Sequence, residues 1–250
     1  MQQAWQDIVD RDYKFAEDVI RARAVETGDV SGKVSDVATV LLGCIKCQRQ
    51  PPTIQAGRVP LRNEALRLIS FVHANINTLD REAHVWMTAV QLYDDFLHRD
   101  VSMRYCHQKF VLACYSLAFK YEANDVVIYH TELLQILALY SEQTKTPYWC
   151  SVAACPGSVA DAELIVLETV KWNVPMEGTL VQIDNILTLA GAWSKDSVLL
   201  DRAYTIATNT SMDLTMLSTA TYSPFCSACM CVQQACIELR IPTRRIFCIL

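Results

Sequence analysis

Apolar residues recur at helical spacing along most of this 250-residue chain, and few residues interrupt the pattern. The clearest stripe, at offsets of three, four, seven, eight and eleven, consists of Phe110, Ala113, Cys114, Leu117, Ala118 and Tyr121. The chain has only 7 glycines and 8 prolines, whereas short strands joined by tight turns need many more of both. We therefore predict an all-α fold, in a chain long enough for two helical lobes.

The order of the predicted helices divides the chain into three parts. Residues 1–57 contain two N-terminal helices, Trp5–Val25 and Val34–Cys47, and a proline-containing linker. Residues 58–176 form a first lobe of five predicted helices. The first is Leu61–Asn75, the second runs from an N-cap at Asp80 to Leu97, the third ends at about Glu122, and the fourth is Asp125–Tyr140. The fifth begins after the capping-box pattern Ser158-x-x-Asp161. Residues 177–250 form a second lobe, with predicted helices at Leu180–Ala192, Val198–Met212 and Phe225–Arg240.

Two of these helices have unusually small residues at their centres. In the helix ending at Glu122 these are Ala113, Cys114, Ser116 and Ala118, and in the last long helix they are Ser227, Ala228, Cys229 and Cys231. Small side chains let neighbouring helix axes approach closely. We expect each helix to be surrounded by others.

Several function classes lack their sequence signals. No Gly-rich phosphate loop, paired-histidine metalloprotease helix or nucleophile elbow occurs, so we predict no catalytic residue and no cofactor. The net charge of −5 argues against a nucleic-acid partner. The segment from Leu214 to Ile237 has no charged residue, but its serine, threonine, glutamine and proline content favours a buried helix over a membrane span.

We interpret the eleven cysteines as reduced thiols of an intracellular protein. The spacings Cys44-x-x-Cys47 and Cys226-x-x-Cys229-x-Cys231 could hold zinc if the two groups met. Both lie in apolar helical patterns, where cysteine acts as a small hydrophobic residue, so we predict packing and no metal. A cysteine- or zinc-dependent activity around Cys226–Cys231 remains the enzyme alternative. The five histidines lack ligand spacing and are predicted to be surface or packing residues.

Three segments, in the right order, resemble helices of a cyclin box. The run Val111–Glu122, VLACYSLAFKYE, resembles the third helix; Ala89–Leu97, AVQLYDDFL, resembles the second; and Ala162–Val174, AELIVLETVKWNV, resembles the fifth. The chain is thus similar to the cyclin family over roughly Leu61–Val174, and more faintly beyond. Its compactness and its lack of disordered degradation segments resemble the cyclins encoded by gammaherpesviruses.

The resemblance implies a fold, a partner and a site. The fold would be two cyclin boxes, as tandem five-helix bundles, with an additional N-terminal helix. The partner would be a cyclin-dependent protein kinase, which the chain binds as a heterodimer and activates in the host nucleus and cytoplasm. Lys120 and Glu163 match the family residues that hydrogen-bond the kinase's mobile helix. The surrounding apolar contact would come from Leu117, Tyr121, Leu167 and Trp172.

The resemblance also implies a structural ion pair, formed by Arg62 of the first helix and Asp94 of the second. The family's docking groove is altered here, at the positions Leu61, Glu64, Ala65 and Leu68. Glu64 introduces a charge into a groove that is usually apolar, so we expect weaker dependence on groove-binding substrates and inhibitors. Asp95 replaces a usual arginine, and Ser141–Gly157 is read as an insertion.

A second function class fits the same fold. General transcription factors share the two-box architecture and contact DNA or protein. The acidic balance of this chain disfavours that alternative.

Overall fold

The chain folds into helices, as predicted. The computed structural model describes residues 2–27, 33–48, 52, 54–76, 82–99, 107–122, 127–145, 158–174, 178–192, 197–212 and 223–247. Across these ranges the secondary structure is helical, with no strand. The all-α prediction is therefore confirmed.

The helices are numbered here in chain order. They are α1 (Gln2–Thr27), α2 (Lys33–Cys47), α3 (Val59–Asn75), α4 (Glu82–Arg99), α5 (His107–Glu122), α6 (His130–Thr144), α7 (Val159–Thr169), α8 (Thr179–Leu189), α9 (Val198–Met212), α10 (Pro224–Glu238) and α11 (Arg244–Phe247). A 3₁₀ turn, Ala56–Arg58, leads into α3. The Ser158–Asp161 capping box opens α7 as predicted, with reciprocal side-chain bonds to both backbone N–H groups.

Helix α6 differs from its predicted bounds at both ends. It begins at His130 rather than Asp125, after Tyr129 in an extended conformation. The run Val126–Tyr129 is β-branched or aromatic, and such side chains lose rotamer freedom in a helix. The helix continues to Thr144 and ends at Lys145 in the left-handed conformation, so the first four residues of the predicted Ser141–Gly157 loop are helical. The rest of that loop, and the predicted N-cap Asp80, lie outside the described residues.

The chain divides into two compact units. Residues Pro52–Met176 form one unit, and Met1–Pro51 together with Glu177–Leu250 form the other. The sequence places the N-terminal helices in a segment of their own, whereas in the structure they share a unit with the C-terminal helices. We call these the middle unit and the split unit.

The middle unit is built around α5. This helix packs against α3, α4 and α7, and all its side chains from His107 to Ser116 are buried. The small residues Ala113, Cys114, Ser116 and Ala118 have no exposed surface. The expectation that this helix is surrounded by others is confirmed, because small side chains allow three neighbours to approach it.

The split unit joins distant parts of the chain through α2 and α10. Helix α2 packs against α1 and α8, and α10 packs against α8 and α9. In addition, Arg23 Nη2 of α1 donates to the carbonyl of Ala190 at 2.7 Å, which satisfies a backbone oxygen at the end of α8. The N-terminal helices are therefore part of the same core as the C-terminal ones.

A buried polar cluster completes this unit; it consists of Asp12 of α1, Gln48 after α2 and Ser223 at the N-cap of α10, and we call it the closed cluster. Asp12 Oδ2 accepts hydrogen bonds from Gln48 Nε2, at 3.2 Å, and from Ser223 Oγ. Gln48 Oε1 and Ser223 Oγ in turn accept from the backbone N–H groups of Phe225 and Cys226. The cluster thus satisfies the first turn of α10 with side chains from the N-terminal part of the chain.

Candidate functional site

Three charged or polar side chains from three helices meet at the edge of the middle unit. They are Lys120 of α5, His130 of α6 and Glu163 of α7, and we call them the open cluster. Lys120 Nζ lies 2.7 Å from Glu163 Oε1 and 2.6 Å from Oε2, and His130 Nε2 lies 3.0 Å from Oε1. A single carboxylate thus accepts from two other helices.

Each of the two charged residues lies at a favourable end of its helix. Lys120 is in the last turn of α5, where a cation offsets the partial negative charge of the helix terminus. Glu163 lies just beyond the first turn of α7, which the Ser158–Asp161 capping box opens. His130 is the first residue of α6. All three residues thus lie at or near helix ends, and local helix chemistry favours the position of Lys120.

Glu163 is held in its charged form. Burial by itself raises the pKa of its carboxyl group, but hydrogen bonds from Lys120, Ser116 and His130 and the charge of Lys120 outweigh that, and the net pKa is lowered. Only 11% of the Glu163 side chain is exposed, against 49% for Lys120. The cation of the pair therefore faces solvent while the anion lies beneath it.

The open cluster has hydrogen-bonding capacity left over. An ammonium group has three N–H donors and a carboxylate about four acceptor sites. Within the described part of the chain, Lys120 uses two donors on Glu163, and the Glu163 carboxylate is hydrogen-bonded by Lys120, His130 and Ser116. One ammonium donor therefore remains beside the carboxylate, on a side chain that is half-exposed.

Exposed apolar side chains lie next to these residues in the chain. Tyr121 follows Lys120, Leu164 follows Glu163, and Tyr129 precedes His130, and all three are exposed. Leu117 and Leu167, one helical turn from Tyr121 and Glu163 respectively, are half-buried. Large exposed apolar groups near buried, ordered charges are typical of protein-binding surfaces.

Trp172 stands out by its backbone. Its side chain is 65% exposed, and both it and Lys171 have φ near 58°, a left-handed conformation that bulky residues rarely adopt. Its amide donates to the carbonyl of Leu167 at 2.7 Å, which fixes this conformation at the end of α7. Since Tyr121 and Trp172 are exposed, core packing does not account for them.

The ion pair expected from the resemblance lies in the core of the same unit. Arg62 Nε and Nη2 lie 2.7 and 2.9 Å from the two carboxylate oxygens of Asp94, with Arg62 fully buried. Burial raises the pKa of Asp94, and the Arg62 guanidinium opposes that effect. The pair fastens α3 to α4, and both of its members are buried.

The four altered groove positions on α3 differ widely in exposure. Ala65 and Leu68 have no exposed surface, Leu61 is half-buried, and Glu64 remains partly exposed. Glu64 Oε2 lies 3.5 Å from His107 Nε2, and this imidazole lowers the pKa of Glu64. The groove positions on α3 therefore present a charged side chain, Glu64, while Ala65 and Leu68 are not accessible to a partner.

The cysteines of α10 do not have the properties of reactive thiols. Burial raises the pKa of Cys231 to about 11 and raises the pKa values of Cys226 and Cys229 as well, whereas reactive thiols have lowered values. Over the described ranges, no three histidine, cysteine, aspartate or glutamate side chains are grouped so that they could hold a metal ion.

A membrane-spanning helix is also not found in the described ranges: none of their helices combines the length and the hydropathy that crossing a bilayer requires. The part of the predicted Leu214–Ile237 segment that precedes Ser223 lies outside them.

Comparisons with known proteins add no relative. No protein-family model matches this chain, and no curated protein matches it in sequence.

Sequence reasoning assigned no histidine to the site, although its prediction of surface or packing residues fits the buried His107. His130 bonds to Glu163, and His107, predicted to be a surface or packing residue, is buried between Tyr93 and Glu64, with its Nδ1 2.8 Å from the Tyr93 hydroxyl. Their partners lie 14 to 43 positions away or on other helices, so no local spacing could have indicated these contacts.

Proposed function

We propose that this chain is a cyclin-type regulatory subunit that binds and activates a cyclin-dependent protein kinase. The observation that carries the proposal is the direct pairing of Lys120 with Glu163. The two residues lie 43 positions apart in the chain, and both match the kinase-binding positions of the family that the chain resembles.

The chemistry of the open cluster supports a backbone-reading role. An ammonium N–H of Lys120 and a carboxylate oxygen of Glu163 can bind a C=O and an N–H that belong to different peptide groups of a partner's loop. Because the Lys120–Glu163 pair already exists in the unbound chain, binding requires little rearrangement of the two charges. The exposed Tyr121, Leu164 and Trp172 supply apolar surface that a partner can bury.

The proposed mechanism is allosteric. The open cluster and its apolar surroundings dock against the kinase's mobile helix and press it inward. That completes the kinase's own lysine–glutamate pair and helps order its activation loop. The chain supplies no catalytic group in this mechanism.

The finer identity is part of the same proposal. The helices α3 to α7 of the middle unit correspond to a first cyclin box, and α8 to α10 belong to a second. The chain acts in the host nucleus and cytoplasm as a virus-encoded cyclin. The buried Ala65 and Leu68 and the ionised Glu64 support reduced dependence on groove-binding substrates and inhibitors.

Co-purification with a panel of cyclin-dependent kinases, followed by an activity measurement on each, tests the proposal. The wild-type chain is expected to bind and activate at least one kinase. The double variant Lys120→Ala/Glu163→Ala is expected to weaken binding by about 2–5 kcal/mol, because the truncated charges are desolvated in the complex.

A matched control removes the same two residue types from exposed positions. Lys14→Ala/Glu142→Ala changes the same charges at exposed sites of α1 and α6 and should leave kinase binding unchanged. If the Lys120/Glu163 variant binds like this control, the assigned surface is wrong. If the wild-type chain binds no kinase in the panel, the proposed function is wrong.

A further inference from the structure

The open cluster contains a third side chain that the resemblance does not assign. His130 Nε2 lies 3.0 Å from Glu163 Oε1, the same oxygen that Lys120 Nζ approaches at 2.7 Å. We infer that His130 is a positioning residue, which holds the Glu163 carboxylate in the orientation that a partner's backbone requires. This inference rests on the proposed kinase-binding role of Glu163.

The tautomer of His130 follows from its partner. Glu163 carries its negative charge, and an ionised carboxylate can only accept hydrogen bonds. The Nε2 atom of His130 must therefore carry a proton, and its N–H donates a hydrogen bond to Oε1. The contact is a charge-assisted bond to a carboxylate that is almost completely buried.

This bond removes a freedom that Lys120 alone leaves. An ammonium group is a compact donor on a flexible stem, and it lies almost equally close to the two carboxylate oxygens. A second donor, fixed to the first turn of α6, breaks that symmetry by occupying Oε1. Of the bonds from Lys120 and His130, two then go to Oε1 and one goes to Oε2.

His130 is also suited to this role by its location. Its side chain is 32% exposed, at the start of α6, and Tyr129 immediately before it is exposed as well. A substitution here leaves no large cavity in the core. The bond to Glu163 can therefore be removed without unfolding the unit.

Two variants separate the hydrogen bond from the bulk of the side chain. His130→Leu removes the donor, and His130→Gln keeps an amide N–H at a comparable distance from the backbone. Kinase affinity is expected to fall about tenfold in His130→Leu, the effect of losing one bond to a charged group, and to stay near that of the wild type in His130→Gln. In a Glu163→Ala background, His130→Leu should cause no further loss.

A measurement on the unbound chain tests the positioning without a kinase. Carbon-13 NMR follows the titration of the Glu163 carboxyl group, and His130→Leu should move its midpoint upward while His130→Gln should not. An unchanged midpoint in His130→Leu overturns the inference, whatever the kinase result.

The failures are distinguishable. Equal kinase affinity of His130→Leu and wild type overturns the inference and leaves the proposed function intact. If the wild type binds no kinase, the proposed function is overturned, and the titration alone then decides whether His130 positions Glu163. A loss that is the same in His130→Leu and His130→Gln also contradicts the inference, because it would come from bulk rather than from the donor.

Discussion

The open cluster of the middle unit and the closed cluster of the split unit use similar groups in opposite ways. Each centres on a carboxylate that accepts bonds from two other chain segments, Glu163 in one and Asp12 in the other. In the closed cluster Gln48 and Ser223 are buried with Asp12, whereas in the open cluster half of Lys120 faces solvent. Asp12 also has an exposed neighbour, since its Oδ1 lies 3.4 Å from Nη2 of Arg11, whose side chain is 62% exposed. The contrast therefore lies in the donors that bind each acid most closely, which are buried for Asp12 and include a half-exposed ammonium group for Glu163.

Of these charged contacts, the Arg62–Asp94 pair should contribute most to the free energy of unfolding, because both members are buried. Arg62→Ala is expected to lower the free energy of unfolding by about 3–5 kcal/mol, since it leaves Asp94 charged and buried without its partner. Urea unfolding followed by circular dichroism measures this. As a control, the double variant Arg62→Met/Asp94→Leu should recover most of the loss; if it does not, shape rather than charge explains the effect.

The closed cluster should affect stability next most strongly. Asp12→Ala removes the acceptor of Gln48 and Ser223 and is expected to cost about 2–3 kcal/mol of unfolding free energy, as for hydrogen bonds to a charged group. Asp10→Ala, at an exposed site two positions earlier in α1, is the control and should change little. A loss of kinase binding in a folded Asp12→Ala protein would contradict the assignment of this cluster to the fold.

The open cluster should contribute less to the fold. Lys120→Ala is expected to change the free energy of unfolding by about 1 kcal/mol or less, because half of its side chain is solvated and His130 still bonds to Glu163. The same urea titration detects it. A loss comparable to that of Arg62→Ala would show that this pair fastens the fold too, and the contrast between the clusters would disappear.

Lowering the pH should cause the smallest of these changes in the free energy of unfolding. The folded pKa values of Glu163 and Glu64 are lowered, so the unfolded state binds more protons as the pH falls. Their stabilising contribution is fully present above the ordinary glutamate pKa of 4.5 and is lost as the pH falls through the lower folded values. Glu163→Gln should therefore flatten the acid side of the stability profile. A profile identical to that of the wild type would mean that Glu163 has the same pKa when folded and unfolded.

Local physics predicted most of the helices. Apolar spacing indicated α5, and the Ser158–Asp161 pattern indicated the start of α7, because both depend on residues within a few turns. The start of α6 was missed because helix-period spacing does not weigh the β-branched run before His130. Long-range contacts such as Asp12 with Ser223, 211 positions apart, leave no local pattern.

Only part of the candidate site could be predicted from the sequence. Lys120 and Glu163 came from the resemblance, and periodicity alone placed Glu163 at the edge of an apolar face. His130 came from neither, since its position at the first turn of α6 brings it to Glu163 only once the middle unit has folded.

The closed cluster also has a consequence for how the chain is made. Its first members leave the ribosome with α1 and α2, but Ser223 is synthesised only after the whole middle unit. At typical translation rates of about 5–20 residues per second, that delay is on the order of ten seconds or more. During this delay the middle unit can complete its own core, while Asp12 cannot yet bond to Ser223. Vectorial synthesis therefore favours an order in which the middle unit forms first and the N-terminal helices are secured last.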